Sequence, residues 1–370
     1  MTTSASFSSS SSTGAVLQQQ RPVPPPPPLQ GVYPILVTPF HNDTKESLDL
    51  ESFRRSLTFM IHSGSCRGVT ITGVLGESNR MTDSEREQLL RVAKATIQEE
   101  TSTSNKHQDD KQHDFHLCVG TSFSGTAATV ALSEMAQELG ADSVMVTPSK
   151  DGPSQPADND IVELYARISE ACGPNVGIVL QDHPSSTGVF MSLELMARIV
   201  AEIPSVICIK LESLPTVNRL SGLKKAAAAH CNHNHHNILD NNCSILTGLG
   251  ALYAGYDLEQ GMTSGFMTGF AFPEILKAML DAAHVEDYPR VHELYQQFLP
   301  LIVLEQSPGS GLAIRKEIYK LRGLIDCAHV RHPGKNISPT LVTTLHKQLE
   351  RSFPPGTDLT KPLPPEFFLP

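Results

Sequence analysis

Lys210 closes the run VICIK at 206–210 and is followed by Leu211 and Glu212. Side chains alternate across a strand with a period of two, so Cys208, Lys210 and Glu212 fall on one face if the run is extended. A lysine held in a partly apolar pocket has its ammonium form disfavoured, and the neutral amine can attack a ketone carbon. The protonated imine then withdraws electrons and stabilises the neighbouring enamine, which is what forming or breaking a bond beside a carbonyl requires. A carboxylate beside the iminium, here Glu212, would both stabilise its charge and accept a proton. Spacing alone favours a plainer alternative, a strand ending in a solvated lysine.

Other candidates stand at the ends of similar runs. Gln181, Asp182 and His183 follow the apolar segment that starts at Gly177, and Asp182 and His183 are the further titratable groups expected near Lys210. Asp182 can equally cap a turn, His183 can pack beside Pro184, and Glu212 can pair with a surface cation. The turn Gly73, Val74, Leu75, Gly76, Glu77 offers backbone amides to a carboxylate, because small residues let a ligand approach the N–H groups. A plain turn into the next helix explains the same glycines. Thr247 and Gly248 are expected to line the pocket, with Gly248 and Gly250 keeping its mouth open. His230, His233, His235 and His236 with Cys231 lie in an Asn-rich stretch without regular ligand spacing, so a low-complexity loop is expected there and no metal site.

These residues need a frame that brings strand ends together. Eight short apolar runs, at 32–37, 69–72, 117–120, 143–147, 177–181, 206–210, 244–247 and 265–268, alternate with helical patterns. Mostly apolar strands separated by helices are the sequence form of a parallel sheet buried on both faces. Thr82 with Glu85 forms a capping box, Gly140 ends a helix, Asp158 or Asp160 can cap another and Ser192 a fourth. Eight such units over about 250 residues predict an α/β fold, a closed (β/α)8 TIM barrel with reactive groups at the C-terminal ends of its strands. A doubly wound sheet competes, but no Gly-rich dinucleotide fingerprint follows any strand. Helices over 273–283, 288–304 and 311–324 extend the barrel. The expected division is a Ser/Pro-rich tail at 1–30, disordered and outside the fold, a barrel at 31–284, C-terminal helices at 285–352, and a Pro-rich tail at 353–370 on the surface. Polar inserts at 99–114 and 230–242 are expected to be surface loops.

Composition excludes several functions. The 370 residues carry 29 Lys and Arg against 39 Asp and Glu, a formal charge of -10, with no basic run to displace counterions from a nucleic acid. No apolar stretch approaches the roughly 20 residues that cross a bilayer. Seven scattered cysteines without a CxxC pair read as reduced thiols. A cytoplasmic protein is expected; the alternative is targeting to an organelle through the Ser-rich tail, which lacks acidic residues but has Arg21 as its one basic group.

Taken in order, GVYPILVTPF at 31–40, GVLGE at 73–77 with Glu85 and Arg86, VGTS at 119–122, LGADSVMVTP at 139–148, PSSTG at 184–188 and ICIKLE at 207–212 resemble the dihydrodipicolinate synthase and N-acetylneuraminate lyase family over about residues 31–325. The resemblance implies a pyruvate-type class I aldolase or lyase on a barrel with C-terminal helices, a Schiff base on Lys210 in place of any cofactor, and assembly as a homotetramer or dimer. It also marks departures. Val74 and Leu75 replace two hydroxyl residues, Gln181 a proton-shuttling tyrosine, Ser186 a carboxylate-binding arginine, and Ser149 and Lys150 paired tyrosines. Synthesis of dihydrodipicolinate itself is therefore not expected. A 2-oxo acid with an aldehyde or sugar-acid partner is, through cleavage or formation of a carbon–carbon or carbon–oxygen bond. The competing reading is a catalytically impaired barrel kept as a ligand-binding or assembly protein.

Overall fold

A computed structural model describes residues 24–104, 115–150, 152–229, 239 and 242–369. The chain forms eight parallel strands, β1 (Gly31–Pro34), β2 (Gly68–Ile71), β3 (His116–Gly120), β4 (Ser143–Val146), β5 (Gly177–Asp182), β6 (Val206–Leu211), β7 (Ser244–Thr247) and β8 (Gly265–Thr268). They are ordered β1-β8-β7-β6-β5-β4-β3-β2, and a bridge from Ile35 to Thr70 closes the circle between β1 and β2. Each expected run is a strand. The regular part of β1 stops at Pro34, whose nitrogen has no hydrogen to donate to the ladder.

Alternation divides the apolar residues of the strands between two cores, with β2 contributing only to the outer one. Tyr33, Ile35, Cys118, Met145, Val179, Cys208, Leu246 and Met267 fill the barrel, while the larger outer cluster joins the strands to the helices. Leu29, only 3% exposed, belongs to the inner cluster. This corrects the expected boundary at residue 30: the end of the proline-rich segment is part of the barrel core, because an inner cavity of this size is stable only when filled by side chains.

The helices start and stop much as their sequences direct. The Thr82 amide donates to Glu85 at 2.9 Å and the Glu85 amide to Thr82 at 3.3 Å, opening Asp83–Ser104, and Ser192 accepts the Leu195 amide at 3.0 Å. Asp158 and Asp160 differ from expectation. The N-cap of Asp158–Cys172 is Ala157, and both aspartates lie in the first turn, where they meet the positive end of the helix dipole instead of capping it. The helix Asp83–Ser104 also runs into the expected polar insert, whose remainder lies outside the described residues, as does nearly all of 230–242.

After Pro273–His284, which completes the barrel, come Tyr288–Glu305, Gly311–Leu321 and Pro339–Ser352. Buried ion pairs bind them to the barrel. Arg322 reaches Glu274 at 2.5 Å and lies over the rings of Phe59 and Phe272, at 4.7 and 4.5 Å. Glu77, in the turn after β2, accepts from Arg80 at 2.6 Å and from the Arg331 amide at 3.1 Å, and pairs with Lys316. The segment after 352 was expected on the surface, but Leu363 is buried, its amide donates to Glu274 at 3.3 Å, and Phe353 lies 5.0 Å from Phe272 between ring centroids. Apolar side chains among its prolines are enough to hold it. No described helix is long and apolar enough to cross a membrane.

Removing the Arg322 guanidinium strands the Glu274 charge in the interior. Arg322→Ala should destabilise the chain by about 3–5 kcal/mol, read as a lower urea midpoint at unchanged slope.

Candidate active site at the barrel mouth

Strand β6 fits one extra residue between two consecutive pairings with β5. Ile178 stands opposite Val206 but Val179 opposite Cys208, so Ile207 is a bulge that slips the register by one. As a result Lys210, and not Ile209, lies opposite Gln181 on β5 and Leu246 on β7. The alternation that follows sorts the expected site residues into two groups. Gln181 and Lys210 turn inward with Val179, Cys208 and Leu246; Asp182, Leu211 and Thr247 turn outward.

Glu212 continues the inward face past the end of β6. Its Oε2 lies 3.0 Å from Lys210 Nζ and accepts from Gln181 Nε2 at 2.6 Å, while Oε1 accepts the Leu249 amide at 3.1 Å. His183 Nδ1 stands 4.0 Å away and shares a hydrogen bond of 2.8 Å with the Ser186 hydroxyl. Lys210 and Glu212 are 2% and 8% exposed. Burial opposes ionisation of Glu212, but the Lys210 ammonium, His183 and the Gln181 donor outweigh it and hold the carboxyl below its ordinary value. Burial lowers the His183 pKa, against the pull of Glu212, so its imidazole is neutral near neutrality. Lys210 Nζ is thus paired with a buried carboxylate, a partner for the amine in addition to the apolar surroundings read from the sequence. The same carboxylate can take the proton whose departure makes the amine nucleophilic.

The Leu249 donor left no sequence signal. Leu249, Gly250 and Ala251 all have positive φ, at 48, 63 and 66°, a conformation that bulky residues seldom adopt and that aims the Leu249 N–H back at Glu212. Gly248 makes the approach possible, since a Cβ there would lie 2.2 Å from Glu212 Cγ. Gly248, expected to line a substrate pocket, borders the Lys210–Glu212 pair through its lack of a side chain.

Two of the expected residues are not brought to Lys210. Asp182 accepts from the Ser213 hydroxyl and from Arg219 Nη2 at 3.2 Å, and Arg219 also donates to the Met191 carbonyl at 2.9 Å. It joins the loops after β5 and β6 on the outer side, because its neighbour Gln181 already takes the inward position. Thr247 donates to Thr263 at 3.1 Å for the same reason. In the turn after β2, Gly73 faces Met145 and Ile35, Leu75 touches the inner cluster, and Val74 is 52% exposed at the rim. The histidines at 230–236 lie outside the described residues; among the described ones no group of His, Cys, Asp or Glu could hold a metal ion.

A buried lysine and glutamate at the ends of barrel strands make comparison with known proteins informative. The profile of the dihydrodipicolinate synthetase family matches residues 28–352. The chain belongs to that family. It is 32% identical over 311 residues to L-2-keto-3-deoxyarabonate dehydratase of Azospirillum brasilense, covering 84% of this chain and 90% of the relative. It is 25% identical over 320 residues to 4-hydroxy-tetrahydrodipicolinate synthase of Helicobacter acinonychis, covering 85% and 96%. The crystal structure of dihydrodipicolinate synthase from Rhodopseudomonas palustris superimposes with a TM-score of 0.75 at 29% identity, over 89% of this chain and all of the other. The resemblance seen in the motifs therefore holds over the whole barrel and its helical extension, and the chain is a lyase-type enzyme of the class I aldolase kind.

Two outcomes test the geometry. Gly248→Ala should displace Glu212 from its donors, lowering both turnover, by at least about tenfold, and the unfolding midpoint. Because the folded-state pKa of Glu212 is depressed, the pair contributes fully above the ordinary carboxylate pKa and is lost only as pH falls through the lower folded value. The Glu212 carboxyl signal in carbon NMR should accordingly titrate below pH 4.5, and Gln181→Leu should raise its midpoint.

Proposed function

We propose that this enzyme binds a 2-oxo acid as an imine on Lys210 and acts on a 2-keto-3-deoxy sugar acid, by dehydration or by cleavage. The observation that carries the reading is the Lys210–Glu212 pair, 3.0 Å apart and enclosed at the end of β6. Glu212 accepts a proton from the Lys210 ammonium. The amine adds to carbon 2 of the oxo acid, and the carbonyl oxygen leaves as water, giving an iminium whose charge Glu212 faces. Loss of a proton from carbon 3 gives the enamine, with the electron pair moving onto nitrogen. The enamine can expel the hydroxyl on carbon 4, which leaves as water once protonated. In the alternative path the iminium itself is cleaved: the hydroxyl on carbon 4 gives up its proton to a base as the electron pair of the bond between carbons 3 and 4 moves onto nitrogen and an aldehyde departs. The resulting enamine is then protonated at carbon 3. Hydrolysis of the imine restores Lys210. No bound cofactor enters these steps.

Gln181 holds Glu212 and can donate a hydrogen bond, but an amide neither takes nor gives a proton at neutral pH. That favours a reaction served by the Lys210–Glu212 pair, with His183 as the nearest further base, over dihydrodipicolinate synthesis, which resemblance associates with a tyrosine at this place. The greater likeness to a keto-deoxy-sugar-acid dehydratase, 32% against 25% to a synthase, points the same way. Asp182, expected as catalytic, takes the role of holding the loop bearing His183 against the end of β6. Gly73, Leu75 and Gly248 line the substrate, and assembly as a dimer or tetramer belongs to the same reading on grounds of resemblance. The missing tyrosine also favours a second reading, a barrel that binds an oxo acid without turnover.

Reduction with borohydride in the presence of pyruvate, followed by peptide mapping, should place a reduced adduct on Lys210, and Lys210→Ala should remain folded without one. Absence of any adduct with pyruvate or a 2-keto-3-deoxy acid in the unaltered chain would leave the binding barrel standing. Glu212→Gln should slow turnover of a 2-keto-3-deoxy acid by about 10²- to 10⁴-fold, as expected for loss of a general base.

A further inference from the structure

The strand-two turn has lost the side-chain hydroxyls that the family resemblance associates with a carboxylate, yet a buried cation stands beside it. Gly269 follows β8 on the inward face that Met267 occupies one step below. A Cβ at Gly269 would lie 2.3 Å from Leu75 Cδ1 and 3.2 and 3.3 Å from Nε and Cζ of Arg315. Leu75 and the Arg315 guanidinium thus come together over a glycine at the mouth. The helix Gly311–Leu321 delivers Arg315 there, and Glu305 orients it, accepting from Nε at 3.1 Å and, through its carbonyl, from Nη2 at 3.3 Å. Glu305 in turn accepts the Ala271 amide at 3.2 Å, which fixes the pair to the end of β8. Among the described residues Nη1 makes no hydrogen bond.

We propose that Arg315 reads the carboxylate of the 2-oxo acid, supplying from the C-terminal helices the charge complement that Val74 and Leu75 cannot. A guanidinium offers paired donors in the geometry of a carboxylate. Glu305 does not cancel it at neutral pH: burial pushes that carboxyl up to about 7 against the pull of Arg315, so it is only partly ionised there. Lys210 and Arg315 are both nearly enclosed, at 2% and 1% exposure, which suits a site that closes on a ligand of a few atoms. The inference rests on the imine reading for which acid is bound, but it concerns the carboxylate end alone.

The test compares pyruvate with its methyl ester, which keeps the ketone and lacks the charge. Calorimetric titration of the full chain gives the affinity of each, and cyanoborohydride trapping reports the imine separately. Arg315→Gln should weaken pyruvate by about 10- to 100-fold, as for a charged hydrogen-bond pair, and leave methyl pyruvate within about twofold, with Arg315→Lys recovering part of the loss. Equal loss for both ligands would make Arg315 a structural residue and overturn the inference, as would no change for either. Should Arg315→Gln not fold, Gly269→Ala keeps the arginine and places a methyl group where the carboxylate must enter; an unchanged pyruvate affinity there overturns the inference too. Pyruvate bound with dependence on Arg315 but never trapped on Lys210 would sink the imine reading alone.

Discussion

A carboxylate removed from water needs a full set of donors, and the Glu212 side chain obtains them from three successive strands: Lys210 on its own, Gln181 on β5 and the Leu249 amide after β7. Leaving one such charge unpaired in the interior would be strongly destabilising. Much of the mouth follows from that demand. The bulge at Ile207 sets Lys210 opposite Gln181, the left-handed turn from Leu249 to Ala251 aims an N–H at Glu212, and Gly248 yields the space a side chain would fill. Strain in that turn and loss of a side chain at Gly248 are the structural consequences of holding one oxygen pair in place.

The barrel was legible because its signals are local and repeated. Eight apolar runs, each punctuated by a turn, and capping pairs such as Thr82 with Glu85 act over a few residues and need no tertiary information. Lys210 with Glu212 was legible for a related reason, since a period of two is a property of the strand alone. Applied to β5 the same rule would have separated Gln181 from Asp182, as adjacent residues cannot both face inward; which of the two does so depends on the register with β6, and a bulge leaves no mark in the sequence. Thr247 fell on the outer face by that register as well. Leu249 and Arg315 were beyond reach on stronger grounds: one acts through its backbone at an unusual φ, and the other comes from a helix more than one hundred residues further along the chain.

The C-terminal helices are more than an appendage to the barrel, since their polar side chains converge on segments that follow its strands. Glu77, at the base of the strand-two turn, pairs with Lys316 and accepts from the Arg331 amide; Glu305 accepts the amide that follows β8; Gln306 lies against Gly250, where a Cβ would meet its side chain at 1.4 Å. Each contact grips a segment that follows a barrel strand, and the one at Gly250 lies in the loop whose Leu249 amide donates to Glu212. Buried pairs of this kind contribute little net stability compared with apolar packing, so their value lies in selecting one arrangement of the mouth over others of similar energy.

That arrangement limits the chemistry the site can perform. With Gln181 opposite Lys210, the inward faces of β5 and β6 hold one amide, one carboxylate and one amine, and on the proposed imine reading proton transfer falls to Glu212 and to His183 beyond it. A condensation that must protonate a new alkoxide at a distance from the amine gains little from this set. A reaction that takes a proton from carbon 3 and returns it to a hydroxyl on carbon 4 uses neighbouring atoms, which one carboxylate within hydrogen-bonding reach of Nζ can serve in turn. On that reading, an amide at the inward position of Gln181 narrows the reaction class through geometry while Lys210 remains free to form the proposed imine.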